Sequence, residues 1–161
     1  MAEPLIYASF PEPLQHAVRN WLKERQELLV LMCGIKSTSP LSNKTVPTGT
    51  RIQNFCQLLM DYVSAAHFEI FDGLTREIDQ DVGSTWEKVQ RLYSRLQPST
   101  DSALRFNDLY DSDESCEDLE ARLSSDLSDL GLALEERFRI EDEILALINT
   151  TLSQQSAVAL V

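Results

Sequence analysis

Apolar residues recur at helical spacing over almost the whole chain, and no stretch shows the strict alternation of a half-buried strand. Leu14, Val18, Trp21, Leu22, Leu28, Leu29 and Met32 mark one side of a first helix from about Leu14 to Cys33, with Gly34 placed to cap it. Between Trp21 and Leu28, the run Lys23-Glu24-Arg25-Gln26-Glu27 reads as a solvated face paired along the helix. Residues 1–13, with Pro4, Pro11 and Pro13, read as a loose leader, and the Ser/Thr/Asn/Pro-rich residues 35–49 as a loop. A second helix spans about Thr50 to Glu77. A third starts at Ser84, which stands three residues before Glu87 as in a capping box, and carries Trp86, Val89, Leu92, Tyr93 and Leu96. Pro98 predicts a break or kink near Gln97, with a short fourth segment from about Ser99 to Tyr110. After the acidic loop Asp111–Ser115, a last helix runs from about Cys116 to Thr151, with residues 153–161 as a frayed tail. Leu119, Leu123, Leu127, Leu130, Leu134, Phe138, Ile144, Leu145 and Ile148 form its buried side. The pattern predicts one all-α domain over residues 1–161, an up-down bundle of four to five helices.

The second helix has two unlike faces. Ile52, Phe55, Cys56, Leu59, Val63, Ala66, Ile70 and Leu74 make a buried stripe. Opposite them lie Asn54, Gln57, Asp61, Ser64, Phe68 and Asp72. Phe68 breaks the polarity of that second face, one turn from Ser64 and two from Asp61. A large aromatic beside a carboxylate on the wet side of a helix is an anchor for another protein, unless a second layer of the same chain covers it.

Charge narrows the classes of partner. The 161 residues include 26 acidic and 14 basic ones, for a formal charge of −12. Such a surface opposes direct nucleic acid binding and favours basic protein surfaces, including those that themselves bind DNA. Three cysteines, Cys33, Cys56 and Cys116, form no CxxC pair and no disulfide framework, which suits a reducing compartment. Cys56, on the apolar stripe, is expected to be a core thiol. The start of the chain lacks a signal-peptide pattern, and the longest apolar run, Leu28 to Cys33, is too short to span a membrane. A cytoplasmic protein with no membrane partner follows as the expectation.

Catalytic signals are thin. The histidines are His16 and His67, and no Glu-x-x-His pair, Gly-rich phosphate loop or nucleophile elbow is present. No cofactor and no metal are called for. His67, flanked by Val63, Ala66 and Ile70, is expected to be a hydrogen-bonded core residue rather than a catalyst. In the charge-dense run Leu134–Glu143, Glu135 with Arg139 and Arg137 with Glu141 are placed to pair along the last helix. A solvated, salt-bridged face is the expected outcome. The alternative is a polar interior in which Glu141 and Asp142 meet Tyr62 and His67, a costly arrangement unless fully paired.

Three segments together resemble one family. Phe55-Cys56-Gln57, Asp61-Tyr62-Val63-Ser64-Ala65 and His67-Phe68-Glu69 are similar to the second helix of the bacterial Rsd/AlgQ family, regulators of the primary sigma subunit of RNA polymerase. Trp21-Leu22-Lys23-Glu24-Arg25-Gln26-Glu27-Leu28-Leu29 resembles its W-L-x-x-R-x-x-L-L stretch. Ser128-Asp129-Leu130-Gly131 with Leu134–Asp142 resembles its last-helix signature. The resemblance implies a non-enzymatic, all-helical anti-sigma factor that holds region 4 of the primary sigma factor partly through the acidic residue of a D-Y-[VL]-S motif, here Asp61. Gln57, Asp61, Ser64, Phe68 and Asp72 are then the candidate partner-binding residues. A phosphocarrier protein of the sugar phosphotransferase system is a second partner that the resemblance implies. The competing classes are a helical adaptor for such a metabolic protein and a ligand- or metal-binding bundle built on Tyr62, His67, Glu141 and Asp142.

Overall fold

A computed structural model describes residues 7–36, 48–78, 83–111 and 117–159. The chain forms α1 (Glu12–Lys36), α2 (Thr48–Ala65), a π-helical segment (Ala66–Phe71), α3 (Asp72–Glu77), α4 (Gly83–Ser94), α5 (Gln97–Tyr110) and α6 (Glu117–Ala159). α2, the π segment and α3 run on without a gap as one rod, residues 48–77. No strand occurs among the described residues.

The rod packs against α1, and its α2 part also packs against α5. α6 is 43 residues long, roughly 65 Å at the rise of an α-helix. α4 and α5 lie one after the other along it. The order α1, rod, α4–α5, α6 makes an up-down bundle of four layers, with the third layer divided at residues 95–96. Pro98 does not kink that layer. It sits in the first turn of α5, where a missing N–H costs nothing because the helix leaves that donor unpaired anyway.

The core runs the length of the bundle through Trp21, Leu28, Phe55, Leu59, Tyr62, Ile70, Leu74, Leu134, Ile144 and Leu145. Phe55 meets Phe106 of α5 edge-on at 5.6 Å. Cys56 is fully buried, and burial, with a smaller effect from Asp111, pushes its thiol up to about 12.

Several expectations need correction. α1 continues past Gly34, which has no left-handed backbone, because Ile35 is buried and extends the stripe from Leu28 and Met32. The leader is not loose throughout. Phe10 is buried, Tyr7 stacks on it at 5.2 Å, and the Gln15 side chain donates to the Phe10 carbonyl at 2.8 Å. α6 does not fray at 153. It stays helical to Ala159, with Leu152 buried and Ser153 hydrogen-bonded to Ser9. Residues 37–47, most of the acidic loop, and Cys116 lie outside the described residues.

Candidate functional site

The exposed face of the rod owes its shape to the π segment. From Tyr62 the buried positions recur every four residues, at Ala66, Ile70 and Leu74. In a regular α-helix such a row would rotate about 40° per step and leave the core. A π turn holds more residues and absorbs that rotation. The consequence is local: His67, Phe68 and Glu69 are three consecutive exposed residues between buried Ala66 and buried Ile70. Phe68 is 72% exposed, the largest such value among the described large apolar residues.

Asn54, Gln57, Asp61, Ser64 and Asp72 are exposed as well. Asp61 accepts a hydrogen bond from the Gln57 side-chain amide at 3.0 Å and has no ion pair among the described residues. Asp72 pairs with Arg76 at 2.6 Å, one turn along the rod. His67 is not the core histidine expected from its flank. It lies outside, hydrogen-bonded to the Tyr93 hydroxyl, stacked on that ring at 5.7 Å and edge-on to Phe68 at 4.8 Å. Beside this ridge a groove of about 430 Å³ runs between the rod and α4, walled by Phe68, Phe71, Trp86, Val89 and Tyr93, with Asp72 on its rim. The sequence pattern marks Trp86 and Tyr93 only as apolar positions of the third helix. Their part in a groove follows from how α4 is set against the rod, which periodicity does not encode.

Two members of the charged run of α6, Arg137 and Glu141, turn inward, contrary to the expected solvated face, while Glu135, Arg139, Asp142 and Glu143 stay exposed. Arg137 and Glu141 are 2% and 0% exposed and pair at 3.0 Å. Glu141 also accepts from the Tyr62 hydroxyl at 2.5 Å and from Arg25 at 3.1 Å. Arg25, expected on the wet side of α1, reaches in to meet them. Its Nε donates to the Tyr62 hydroxyl at 2.9 Å and its Nη1 to Asp142 at 2.6 Å. Its guanidinium lies over the rings of Trp21 and Phe138, at 5.4 and 4.7 Å. Arg137 is held besides by Ser99, Thr100 and the Leu96 carbonyl. Tyr62, Glu141 and Asp142 are therefore brought together, Asp142 at the solvent edge, while His67 is not part of the group. Glu135 does not pair with Arg139, which meets Glu136 instead at 2.9 Å.

Burial pushes the Glu141 carboxyl above its ordinary range, and Arg137, the Tyr62 hydroxyl and Arg25 pull it back. Burial, then Glu141, also raises the Tyr62 hydroxyl, which stays a neutral donor. Burial works against the charge of Arg25, but Tyr62, Asp142 and Glu141 outweigh it and hold the guanidinium above its usual value. No fully buried side-chain nitrogen or oxygen of this group is left without a partner. The interior is thus saturated by its own bonds and works as a clamp joining α1, the rod, α5 and α6. No group of three His, Cys, Asp or Glu residues among the described ones is placed to hold a metal. No described helix is long and apolar enough to cross a membrane.

The family model described as regulator of RNA polymerase sigma(70) subunit, Rsd/AlgQ, matches residues 12–149. The chain belongs to the Rsd/AlgQ family. Among similar proteins, the Regulator of sigma D of Yersinia enterocolitica is 32% identical over 129 residues, covering 80% of this chain and 77% of that protein. The Regulator of sigma D of Yersinia pestis is 31% identical with 80% and 76% covered, and that of an Enterobacter species 31% with 81% and 78% covered. The Rsd/AlgQ match takes in every residue of the exposed ridge, the groove and the interior clamp, and places the chain among regulators of transcription rather than in a class of enzymes.

Proposed function

We propose that this chain is an anti-sigma factor that binds the primary sigma subunit through the exposed ridge of the rod and occludes sigma region 4. Asp61, Ser64 and Phe68 form the centre of the contact, with Gln57 and Asp72 beside them. The observation that carries this reading is the ridge itself: a phenylalanine 72% exposed, one turn from Ser64 and near the unneutralised Asp61, beside an apolar groove. An exposed aromatic continuous with an apolar groove and rimmed by polar residues marks an interaction site better than an isolated exposed residue does. Basic side chains that region 4 uses against promoter DNA would meet Asp61, while Phe68 and the groove take up apolar surface. The net charge of −12 adds attraction at long range and repels DNA itself. Because the polar interior is already saturated, a ligand-binding bundle is the weaker reading.

The test is competition. Region 4 bound to a labelled promoter fragment is titrated with the purified protein. The fragment should be released as the protein saturates region 4, and release should weaken as salt rises past physiological strength, where the screening length is about 8 Å. A ternary complex that keeps the DNA bound would exclude occlusion. A phosphocarrier protein, titrated in place of sigma, distinguishes the metabolic adaptor.

A further inference from the structure

The edge where α1 lies against the rod carries an unusual set of charges. Glu24 has one carboxylate oxygen, Oε2, that is shut off from solvent and has no hydrogen-bond partner. Its neighbours are of the same sign: Asp61, Glu69 and Glu27 all act on it, and they, after burial, raise its carboxyl above the ordinary value. None of these four carboxylates has an ion pair among the described residues. Three like charges acting on Glu24 with no ion pair to offset them make the folded chain less stable, by the same Coulomb argument that makes opposite charges attract.

Directly along α1 from Glu24 is an apolar shelf. Val30 is 66% exposed, and a shallow groove of about 440 Å³ is lined by Val30, Leu31 and Leu58, with Lys23, Gln26 and Glu27 along it. Glu27 belongs to both the acidic slot and the shelf. The groove lies between two packed helices, α1 and α2, a setting in which an amphipathic helix can dock. The acids repel phosphate, which excludes a nucleic acid. They do not gather into a group that could hold a metal. Cationic side chains on a helix with apolar positions at its other end fit both features.

We propose that this edge is the second half of the sigma-binding face: Glu24 and Glu69 join Asp61 in holding basic side chains of one amphipathic helix of the bound sigma subunit, whose apolar positions lie on Val30 and Leu58. The inference rests on the reading of Asp61 given above and extends the interface onto α1. It separates stability from binding. Neutralising Glu24 removes like-charge repulsion from the free protein and at the same time removes a contact from the complex.

The experiment compares Glu24→Gln, Glu69→Gln, Val30→Ser and Asp61→Ala. Affinity for purified sigma is measured by calorimetry at two salt concentrations, and the melting temperature is measured on the free protein. Glu24→Gln should melt no lower than wild type yet bind sigma roughly fivefold or more weakly, with a flatter salt dependence. Val30→Ser, at an exposed position, should leave melting unchanged and weaken binding about threefold. Wild-type affinity in Glu24→Gln and Val30→Ser beside a weakened Asp61→Ala overturns this inference and leaves the ridge in place. Wild-type affinity in all four overturns both. An affinity loss in Glu24→Gln that comes with a lower melting temperature makes Glu24 structural and also overturns it.

Discussion

Removing the Glu141 carboxylate should cost this protein more than any surface change. In Glu141→Ala, Tyr62 loses the acceptor of its 2.5 Å hydrogen bond, and Arg25 keeps Asp142 at 2.6 Å. Arg137 fares worst. It is 2% exposed, its carboxylate partner at 3.0 Å is gone, and only the neutral oxygens of Ser99, Thr100 and Leu96 remain. An uncompensated buried charge costs about 3–5 kcal/mol. Against a total stability of about 5–15 kcal/mol for a domain, that is a large fraction. At roughly 2–4 °C per kcal/mol for a chain of this size, the melting temperature should fall by about 6–20 °C. Far-ultraviolet circular dichroism during heating, with urea titration at 25 °C, reads the loss. Two controls fix its origin. Glu136→Ala removes solvent-exposed pairs with Arg95 and Arg139 and should cost at most about 1 kcal/mol. Arg137→Met with Glu141→Leu removes both charges together and should be less destabilised than Glu141→Ala alone. A melting temperature within about 2 °C of wild type in Glu141→Ala would refute the clamp.

Three further outcomes are expected. Gly34→Ala should raise the melting temperature, because Gly34 lies inside α1, a Cβ there meets nothing within 4 Å, and alanine gains about 0.5–1 kcal/mol in a helix; destabilisation would restore Gly34 as a cap. Val63→Asp should unfold the bundle, since it puts a charge at a buried position of the rod, and a folded variant by circular dichroism would contradict the placement of that side chain. Glu24→Gln should show a pH-dependent gain. The raised Glu24 carboxyl binds its proton more tightly in the folded state than in the unfolded one, so its charge penalises folding at neutral pH and not below about pH 4. Melting curves of the variant and wild type should therefore separate at pH 7 and converge at pH 4; a constant difference would place the effect elsewhere.

The helices were legible because burial of a continuous core imposes a 3.6-residue period, and the mixed three- and four-residue steps of Ile52, Phe55, Leu59, Val63 and Ala66 show it plainly. Phe68 was legible for the converse reason, as a residue that violates the period. The inward turn of Arg25, Arg137 and Glu141 was not. Arg25 and Arg137 sit in runs of alternating charge that look the same whether solvated or buried, and only their registration against Tyr62 decides. The π segment left a trace in the four-residue spacing of Tyr62, Ala66, Ile70 and Leu74, which a strict α period does not sustain. The ends of α1 and α6 were misplaced because Ile35 and Leu152 are single buried residues beyond the last full turn of each stripe, where Gly34 and a polar tail argue for termination. The groove beside Phe68 joins residues of the rod and α4 whose meeting depends on how the segments pack, beyond the reach of local pattern.

The most direct measurement is the affinity of isolated sigma region 4 for wild type, Asp61→Ala and Phe68→Ala, with melting temperatures taken alongside. Both side chains are exposed in the free protein and make no core contact that folding needs. Each truncation should lower affinity about 30-fold to 1000-fold, the loss of about 2–4 kcal/mol typical of a central anchor or of one partner in a desolvated charge pair. Melting should be unchanged. If both variants bind region 4 as tightly as wild type, the ridge is not the sigma-binding face.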